Sequence, residues 1–213
     1  MSASTKKIRK SIRLKNRDAV ARLDEMYPRL LIDVGLAVAE YGALEGANNM
    51  TTGEMKGVPF AGADTFNVVQ QTIAHSLALR LTKLLDIPIP RSGMTVASAH
   101  NHSDVASIPL MLRLISQERC LKVLEQRPGR SASSVRKSVA DAENIWKRFR
   151  RSGNGLTSLR KLRSFRNSLL AHILRSQAEI TTYSQMFAAY EAVCKTWEQL
   201  RFAMTGDHWC SVS

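Results

Sequence analysis

The sequence predicts an all-α fold, a helical bundle preceded by a basic N-terminal arm. Apolar residues recur every three or four positions along most of the chain, which is the period of a helix face turned toward a core. Segments that alternate like β-strands are scarce, and the sequence contains neither internal repeats nor a glycine-rich phosphate loop. A chain of 213 residues can bury a substantial core without disulfides. Aromatic residues make up only 6% of the chain, so aliphatic side chains must supply most of that core.

The charge of the chain indicates a polyanionic partner. There are 31 lysines and arginines against 18 aspartates and glutamates, which gives a formal net charge of +13. Such an excess is typical of proteins that bind nucleic acid and, less often, of proteins that bind an anionic membrane. No run of about 18 apolar residues is present, so no membrane-spanning helix is expected. The three cysteines are far apart in the sequence, which argues against a disulfide framework and favours a reducing, cytoplasmic setting.

Three segments are expected. Residues 1–17 carry seven cations and no acid, so repulsion between like charges predicts a flexible arm. This arm either contacts RNA, improves solubility or acts as an acid-poor transit peptide, and without a long apolar core it does not fit a secretory signal. Residues 18–206 form the predicted helical domain, and residues 207–213 form a short tail.

The first two helices are predicted to be separated by a glycine-rich connection. Residues 18–47 have a helical apolar pattern, and Pro28 is expected to bend or divide this helix because proline removes a backbone hydrogen bond. The irregular connection that follows is expected to span about fifteen residues. The second helix covers residues 64–85, with Asp64 as its N-cap.

Residues 87–103 are predicted to form a loop that contains two histidines. His100 and His102 are spaced so that they either bind a metal or cap the start of the next helix. No cluster of carboxylates or thiols accompanies them beyond Asp104, which favours the capping role, and no metal or other cofactor is expected. Ser103 or Asp104 would provide the N-cap.

The second half of the chain is predicted to contain helices over residues 105–115, 118–126 and 133–151. Residues 152–155 include two glycines and are expected to end the last of these helices. A new helix then begins near Thr157.

The final helix is predicted to start at Thr182, where Gln185 completes a capping box, and to end at Gly206. Its methionine and aromatic side chains recur at helical spacing. We expect this stripe to face the core or a dimer interface rather than a cofactor.

The functional hypothesis depends on the helix predicted over residues 158–172. An arginine, an amide and a histidine lie within seven residues of it, at Arg166, Asn167 and His172. Such a set can hold a phosphate beside a proton-transfer group, which is what RNA cleavage without a metal requires. On an ideal helix Arg166 and His172 are separated by about 120° and roughly 9 Å, so they do not converge directly. A homodimer that brings two copies of the helix together would form one groove with both pairs.

Positive charge is concentrated beside this helix. Residues 127–166 contain twelve lysines and arginines against two acids. The block is either a solvated face or a phosphate-binding surface, and its concentration favours phosphate binding. A sequence-specific DNA binder fits less well, because the break at 152–155 is longer than a helix-turn-helix turn. The candidate RNA-binding residues are Lys147, Arg148, Arg150, Arg151, Arg160, Lys161 and Arg163.

The string formed by Arg166, Asn167, four further residues and His172 resembles the arginine–histidine motif of the HEPN superfamily. Residues 80–86 and 103–115 resemble the abortive-infection (AbiU-like) branch of that superfamily, and the likeness extends over roughly residues 20 to 205. The resemblance implies a HEPN-like helical bundle that is dimeric, cleaves RNA as a metal-independent endoribonuclease and acts as a toxin or antiphage effector. It also implies a cognate antitoxin protein as a partner.

The resemblance assigns a role to each residue of the motif. His172 would deprotonate the ribose 2′-hydroxyl or protonate the leaving 5′-oxygen, and Arg166 would bind the scissile phosphate. Asn167 would position the backbone or orient His172. The alternative is that His172 is a half-buried structural histidine, and that the chain is a non-catalytic HEPN-like module that binds RNA or a partner protein.

Overall fold

The computed structural model describes residues 16–53, 56, 61–86, 106–171 and 182–207, without the side chains of 16–18 and 167–171. Within these ranges the secondary structure is helical and contains no strand, so the predicted all-α fold is confirmed. The predicted arm and tail lie almost entirely outside the described residues. The helices are α1 (Asn16–Thr52), α2 (Ala63–Leu84), α3 (Ile108–Ile115), α4 (Glu118–Glu125), α5 (Ala132–Arg151), α6 (Gly153–Ala171) and α7 (Tyr183–Thr205).

Helix α7 packs against most of the other helices, including α1, α2, α5 and α6. Its Trp197 side chain is only 1% exposed and stacks on Tyr27 of α1, with ring centroids 5.5 Å apart. Tyr190, two turns earlier, stacks on Tyr41 of α1 at 4.1 Å. The methionine and aromatic stripe of the last helix therefore belongs to the core. The predicted capping box of Thr182 and the end at Gly206 are also confirmed.

Helix α1 continues without interruption through Pro28, so the proline does not divide it. Proline removes the hydrogen bond to the carbonyl of residue 24 and crowds that carbonyl. Both Pro28 and Asp24 are exposed, so water can solvate the freed carbonyl group. Leu23 and Leu30, on either side of the proline, are fully buried and hold both halves of the helix against the core.

Two predicted N-caps are wrong. Helix α2 begins after Gly62, which has a left-handed conformation with φ of 89°, and Asp64 lies inside the first turn. Glycine adopts this conformation at little cost, and a carboxylate in the first turn interacts favourably with the helix dipole. Helix α3 is capped by Ser107, whose hydroxyl accepts a hydrogen bond from the Leu110 amide at 3.4 Å. The proposed caps Ser103 and Asp104 lie outside the described residues, as do His100 and His102.

The break between α5 and α6 is one residue long, which is shorter than the predicted four, and α6 begins at Gly153 rather than near Thr157. The Ser152 hydroxyl donates a hydrogen bond to the Phe149 carbonyl at 2.8 Å and accepts one from the Gly155 amide at 3.0 Å. A Cβ atom at Gly155 would lie 1.9 Å from the Phe149 carbonyl oxygen. The glycine therefore permits close approach of two helices instead of ending one.

Candidate functional site

Helices α2 and α6 together position the arginine predicted to bind phosphate. The Leu162 and Phe165 side chains of α6 are buried, and the buried Thr82 hydroxyl of α2 lies 3.2 Å from the Leu162 carbonyl oxygen. The His75 ring, two turns before Thr82, lies 5.4 Å from the Phe165 ring. Leu162 and Phe165, one turn apart on α6, thus contact positions of α2 that are two turns apart.

Arg166 contacts a carboxylate at the C-terminal end of α2. Its Nη1 atom lies 3.1 Å from Oδ1 of Asp86, and the two side chains are 25% and 22% exposed. Asp86 lies two residues beyond the end of α2, within reach of the long arginine side chain. A guanidinium group has five N–H donors. Because this contact engages only one end of the group, donors remain for a second anion.

The surroundings of Arg166 form a small groove between α2 and α6. A second cation, Arg163, lies one turn before Arg166 on the same side of α6 and also lines the groove. No carboxylate pairs with Arg163 among the residues that the structure describes. Two guanidinium groups therefore face one carboxylate, which leaves the groove with an excess of positive charge. Its lining residues are Thr82, Leu85, Asp86, Leu159, Leu162, Arg163 and Arg166.

The remainder of the predicted motif lies beyond what the structure describes. Asn167 belongs to α6, but its side chain is not among the described ones. His172 follows the last described residue of α6. The convergence of Arg166 with His172, and the homodimer invoked to achieve it, stay predictions.

The predicted RNA-binding residues of α5 occupy its last turns. Arg148, Arg150 and Arg151 are exposed, and cations at this end of a helix also interact favourably with its dipole. The Arg150 guanidinium carbon lies 5.9 Å from the centre of the Trp146 ring. These cations therefore stabilise the C-terminal end of α5, and this role does not depend on RNA.

Lys147 differs from its neighbours because its charge is already paired. Its Nζ atom lies 2.6 Å from Oε2 of Glu143, one helical turn earlier. Hydrogen bonds from Lys147 and then from the Ser116 hydroxyl hold the pKa of the Glu143 carboxyl below its usual range. Of the predicted RNA-binding residues, Lys147 is therefore the one whose charge is already paired with an acid of the same helix.

The lysines and arginines of residues 127–166 fall into two groups, those paired with an acid and those without such a pair. In the described ranges, acids engage four of these cations: Arg127, Arg136, Lys147 and Arg166. Arg160 is exposed, and Lys161 and Arg163 are half-buried along α6. Apart from Arg130 and Lys137, the cations of this block that have no acid partner in the described ranges lie at the end of α5 and along α6, the helix that carries Arg166.

A second cavity, which the sequence did not indicate, lies between α2, α6 and α7. It has a volume of about 550 Å³, and the described residues that line it are Gln71, Ala74, His75, Ala78, Phe165, Thr182, Tyr183 and Met186. The His75 and Tyr183 side chains are exposed, whereas Phe165 is 4% exposed and forms the floor. Periodicity could not reveal this cleft, because its walls come from three helices that are widely separated in sequence.

Two further properties concern the described residues alone. Within them, no group of three or more histidine, cysteine, aspartate or glutamate side chains is arranged to hold a metal ion. No helix among them is long and apolar enough to cross a membrane.

Comparison with known protein families gives a match over most of the chain. The model of the HEPN AbiU2 family, described as AbiU2, matches residues 21–211. This range includes the Arg166–Asn167 pair, His172 and residues 80–86. No curated protein and no solved structure matches the chain.

Proposed function

Because the chain belongs to the HEPN AbiU2 family, whose model covers residues 21–211, we propose that it is a metal-independent endoribonuclease. Its biological role would be that of a toxin or antiphage effector of abortive infection. The family membership supports the class of protein, and the arrangement around Arg166 supports the chemistry.

The observation that carries the proposal is the incompletely used guanidinium of Arg166. It lies in a groove with Arg163, and among the described residues its one carboxylate contact, at 3.1 Å, leaves most of its donors open. The planar guanidinium fork matches the geometry of two phosphate oxygens. In this role Arg166 binds the scissile phosphate and stabilises the charge that develops on its oxygens during cleavage.

Asp86 acts as a positioning residue in this scheme. A free arginine side chain loses about 2 kcal/mol of conformational entropy when it is fixed, and an existing contact reduces what the substrate must supply. The same carboxylate repels an incoming phosphate. Asp86 therefore improves the orientation of Arg166 and lowers the affinity for RNA.

His172 completes the reaction. It accepts the proton of the ribose 2′-hydroxyl, or donates a proton to the leaving 5′-oxygen, since an imidazole titrates near neutral pH. The 2′-oxygen bonds to phosphorus and the bond to the 5′-oxygen breaks, which yields a 2′,3′-cyclic phosphate and a 5′-hydroxyl. Asn167 orients His172 or the RNA backbone. A homodimer supplies the second helix that brings Arg166 and His172 to a common groove.

The test is an incubation of the purified full chain with total RNA in the presence of a chelator, followed by identification of the product ends. We expect cyclic phosphate and 5′-hydroxyl ends from the wild type. The variant His172→Ala should bind RNA as the wild type does but should not cut it, because a neutral imidazole adds little to polyanion binding. Matched melting temperatures exclude unfolding as the cause. A folded His172→Ala protein that still cuts RNA would contradict the mechanism.

The second candidate function is an RNA- or partner-binding module without catalysis. The pairing of Arg166 with Asp86 favours this second function, because an arginine held by a carboxylate can serve the fold alone. A wild-type protein that binds RNA tightly and cuts none of it would establish this function in place of cleavage.

A further inference from the structure

We propose that the cleft between α2, α6 and α7 binds an unpaired base of the RNA whose phosphate is held by Arg166. The proposal rests on the proposed function for its substrate class. It adds a second contact, to a base, at a place that the arginine–histidine motif does not include.

The chemistry of the lining suits a nucleobase. Single-stranded RNA is recognised by aromatic side chains that stack on its bases and by polar groups that bond to base edges. The cleft provides the exposed rings of His75 and Tyr183, with Gln71 and Thr182 as hydrogen-bonding groups. Its volume of about 550 Å³ lies in the range of small-molecule sites.

The described part of the lining narrows the choice of ligand. None of its eight residues is an acid, a lysine or an arginine, so these residues offer no ion-pair partner to a phosphate or a carboxylate. The cations lie outside it, on α6 and at the end of α5. A flat, uncharged base attached to a charged backbone fits this division better than a charged metabolite does.

The two rings are held by different helices. Tyr183 is 50% exposed in the first turn of α7, and its ring lies 5.9 Å from that of Phe187, one turn later. His75 is supported from below by Phe165, at 5.4 Å and an interplanar angle of 44°. Both rings therefore have a packed neighbour on one side and an accessible surface on the other, as a stacking platform requires.

The position of the cleft relative to Arg166 predicts which base it binds. Phe165 and Arg166 are consecutive, but their side chains diverge by about 100° around α6. His75 and Asp86, which contact them, are eleven residues apart, or about 16 Å along α2 and its end. The bound base therefore belongs to a nucleotide a few positions away from the scissile phosphate. Sequence preference is expected at that displaced position.

The test measures binding rather than cleavage, so that it does not depend on the proposed nuclease activity. Full-length protein in chelator is titrated into a fluorescently labelled single-stranded RNA and into a blunt RNA duplex. Removal of a stacking ring costs about 1–3 kcal/mol per base, so Tyr183→Ala and His75→Ala should each weaken single-strand binding by about tenfold. Duplex binding should not change, because a paired base cannot enter the cleft.

Three further variants make the result specific. Tyr183→Phe and His75→Phe keep a ring and should bind within about twofold of the wild type. Leu156→Ala, which removes a side chain that is 44% exposed on α6 but lies outside the cleft, should have no effect. A fourth variant, Ala74→Phe, should fill the cleft and reproduce the weaker binding, which covers the case in which a ring deletion disturbs folding.

The outcomes separate this proposal from the proposed function. Wild-type affinity for single-stranded RNA in folded Tyr183→Ala, His75→Ala and Ala74→Phe proteins would overturn the base site and leave cleavage by Arg166 and His172 untouched. Ring-dependent binding without any cleavage would support the base site and contradict the nuclease. Equal reductions in affinity for single-stranded and duplex RNA would also overturn the base site, and would indicate that the two rings contact a feature common to both RNAs, such as the backbone.

Discussion

Two arginines of similar burial, Arg80 and Arg166, use their guanidinium groups differently. Their side chains are 20% and 25% exposed. Arg80 donates from Nε and Nη2 to both oxygens of Glu40, at 3.0 and 2.9 Å, and from Nη1 to Asp33 at 3.4 Å. Among the residues that the structure describes, Arg166 forms a single ion pair, with Asp86. The difference lies in how many donors are occupied, and not in how deeply the side chain is buried.

The polar groups around Arg80 bond mainly to one another. Glu40 also accepts a hydrogen bond from the Ser76 hydroxyl at 2.6 Å, and Lys83 lies 2.6 Å from Asp33. The hydrogen bond with Glu40 is the largest cause that raises the pKa of Arg80. This network joins α1 to α2 and uses three of the five N–H donors of Arg80. The comparison teaches that a guanidinium with unoccupied donors, rather than an arginine as such, indicates the site.

The largest expected effect is on the cleavage rate, which should depend on Arg166. Arg166→Ala should lower the cleavage rate by about 10² to 10³, the usual consequence of removing a donor that stabilises an oxyanion. The free energy of unfolding should change by less than about 1 kcal/mol, because only one partly exposed ion pair is removed. Single-turnover cleavage and urea denaturation measure the two quantities. Arg160→Ala removes an exposed cation six residues earlier on the same helix and is the matched control: as a candidate RNA-binding residue it should lower RNA affinity, but at saturating RNA the cleavage rate should stay close to that of the wild type.

The converse substitution should change stability. Arg80→Ala leaves the buried Asp33 with Lys83 alone and the half-buried Glu40 with the Ser76 hydroxyl alone, so the free energy of unfolding should fall by about 3 kcal/mol. Arg29→Ala removes an exposed pair with Glu25 on α1 and should cost less than about 0.5 kcal/mol. Equal denaturation midpoints for these two variants would show that the Arg80 network does not stabilise the fold.

Substitution of Asp86 should divide binding from catalysis. Asp86→Asn removes a negative charge beside the phosphate, so RNA affinity should rise by about threefold. The cleavage rate at saturating RNA should fall by about tenfold, because a weaker acceptor holds Arg166 less firmly. Affinity from anisotropy and kcat from saturated cleavage test the split. A parallel fall in both would assign Asp86 a purely structural role.

The smallest expected effect concerns the N-terminal segment. Removal of residues 1–15, which precede α1, should make RNA binding less dependent on salt. The log–log slope should become shallower by about 0.7 for each phosphate that the segment neutralises in the full chain. Cleavage should persist, because the deletion leaves α6 unchanged. An unaltered slope would mean that the cations of this segment do not contact RNA.

The sequence predicted the helical bundle because each long helix has an apolar face of the right period. It predicted the local breaks less well, since Pro28 and Gly155 act through what surrounds them. Pro28 is tolerated where its freed carbonyl meets water, and Gly155 is required by the Phe149 carbonyl. These conditions depend on tertiary packing, which no local pattern contains.

The same reason limited the prediction of the site. Arg166 was identified from its own helix, whereas its partner Asp86 comes from the end of a helix far away in sequence. The cleft beside Phe165 needs side chains from three helices, and His75 gave no signal of its own. Residues on one helix can be predicted from spacing, but a contact between helices requires the fold.

The most direct test of the account joins Arg166 to the scissile phosphate in a double-mutant cycle. An RNA made uncleavable by a 2′-deoxy sugar at the mapped cut site is compared with the same RNA carrying a neutral methylphosphonate there. We predict that the wild type binds the neutral RNA more weakly and that Arg166→Ala binds both RNAs equally, which gives a coupling energy of about 1.5 kcal/mol or more. Arg160→Ala should discriminate between the two RNAs as the wild type does. If Arg166→Ala instead discriminates between the two RNAs as strongly as the wild type does, the effects of the substitution and of the methylphosphonate are additive. That result would mean that this guanidinium does not contact the phosphate, and it would contradict the account.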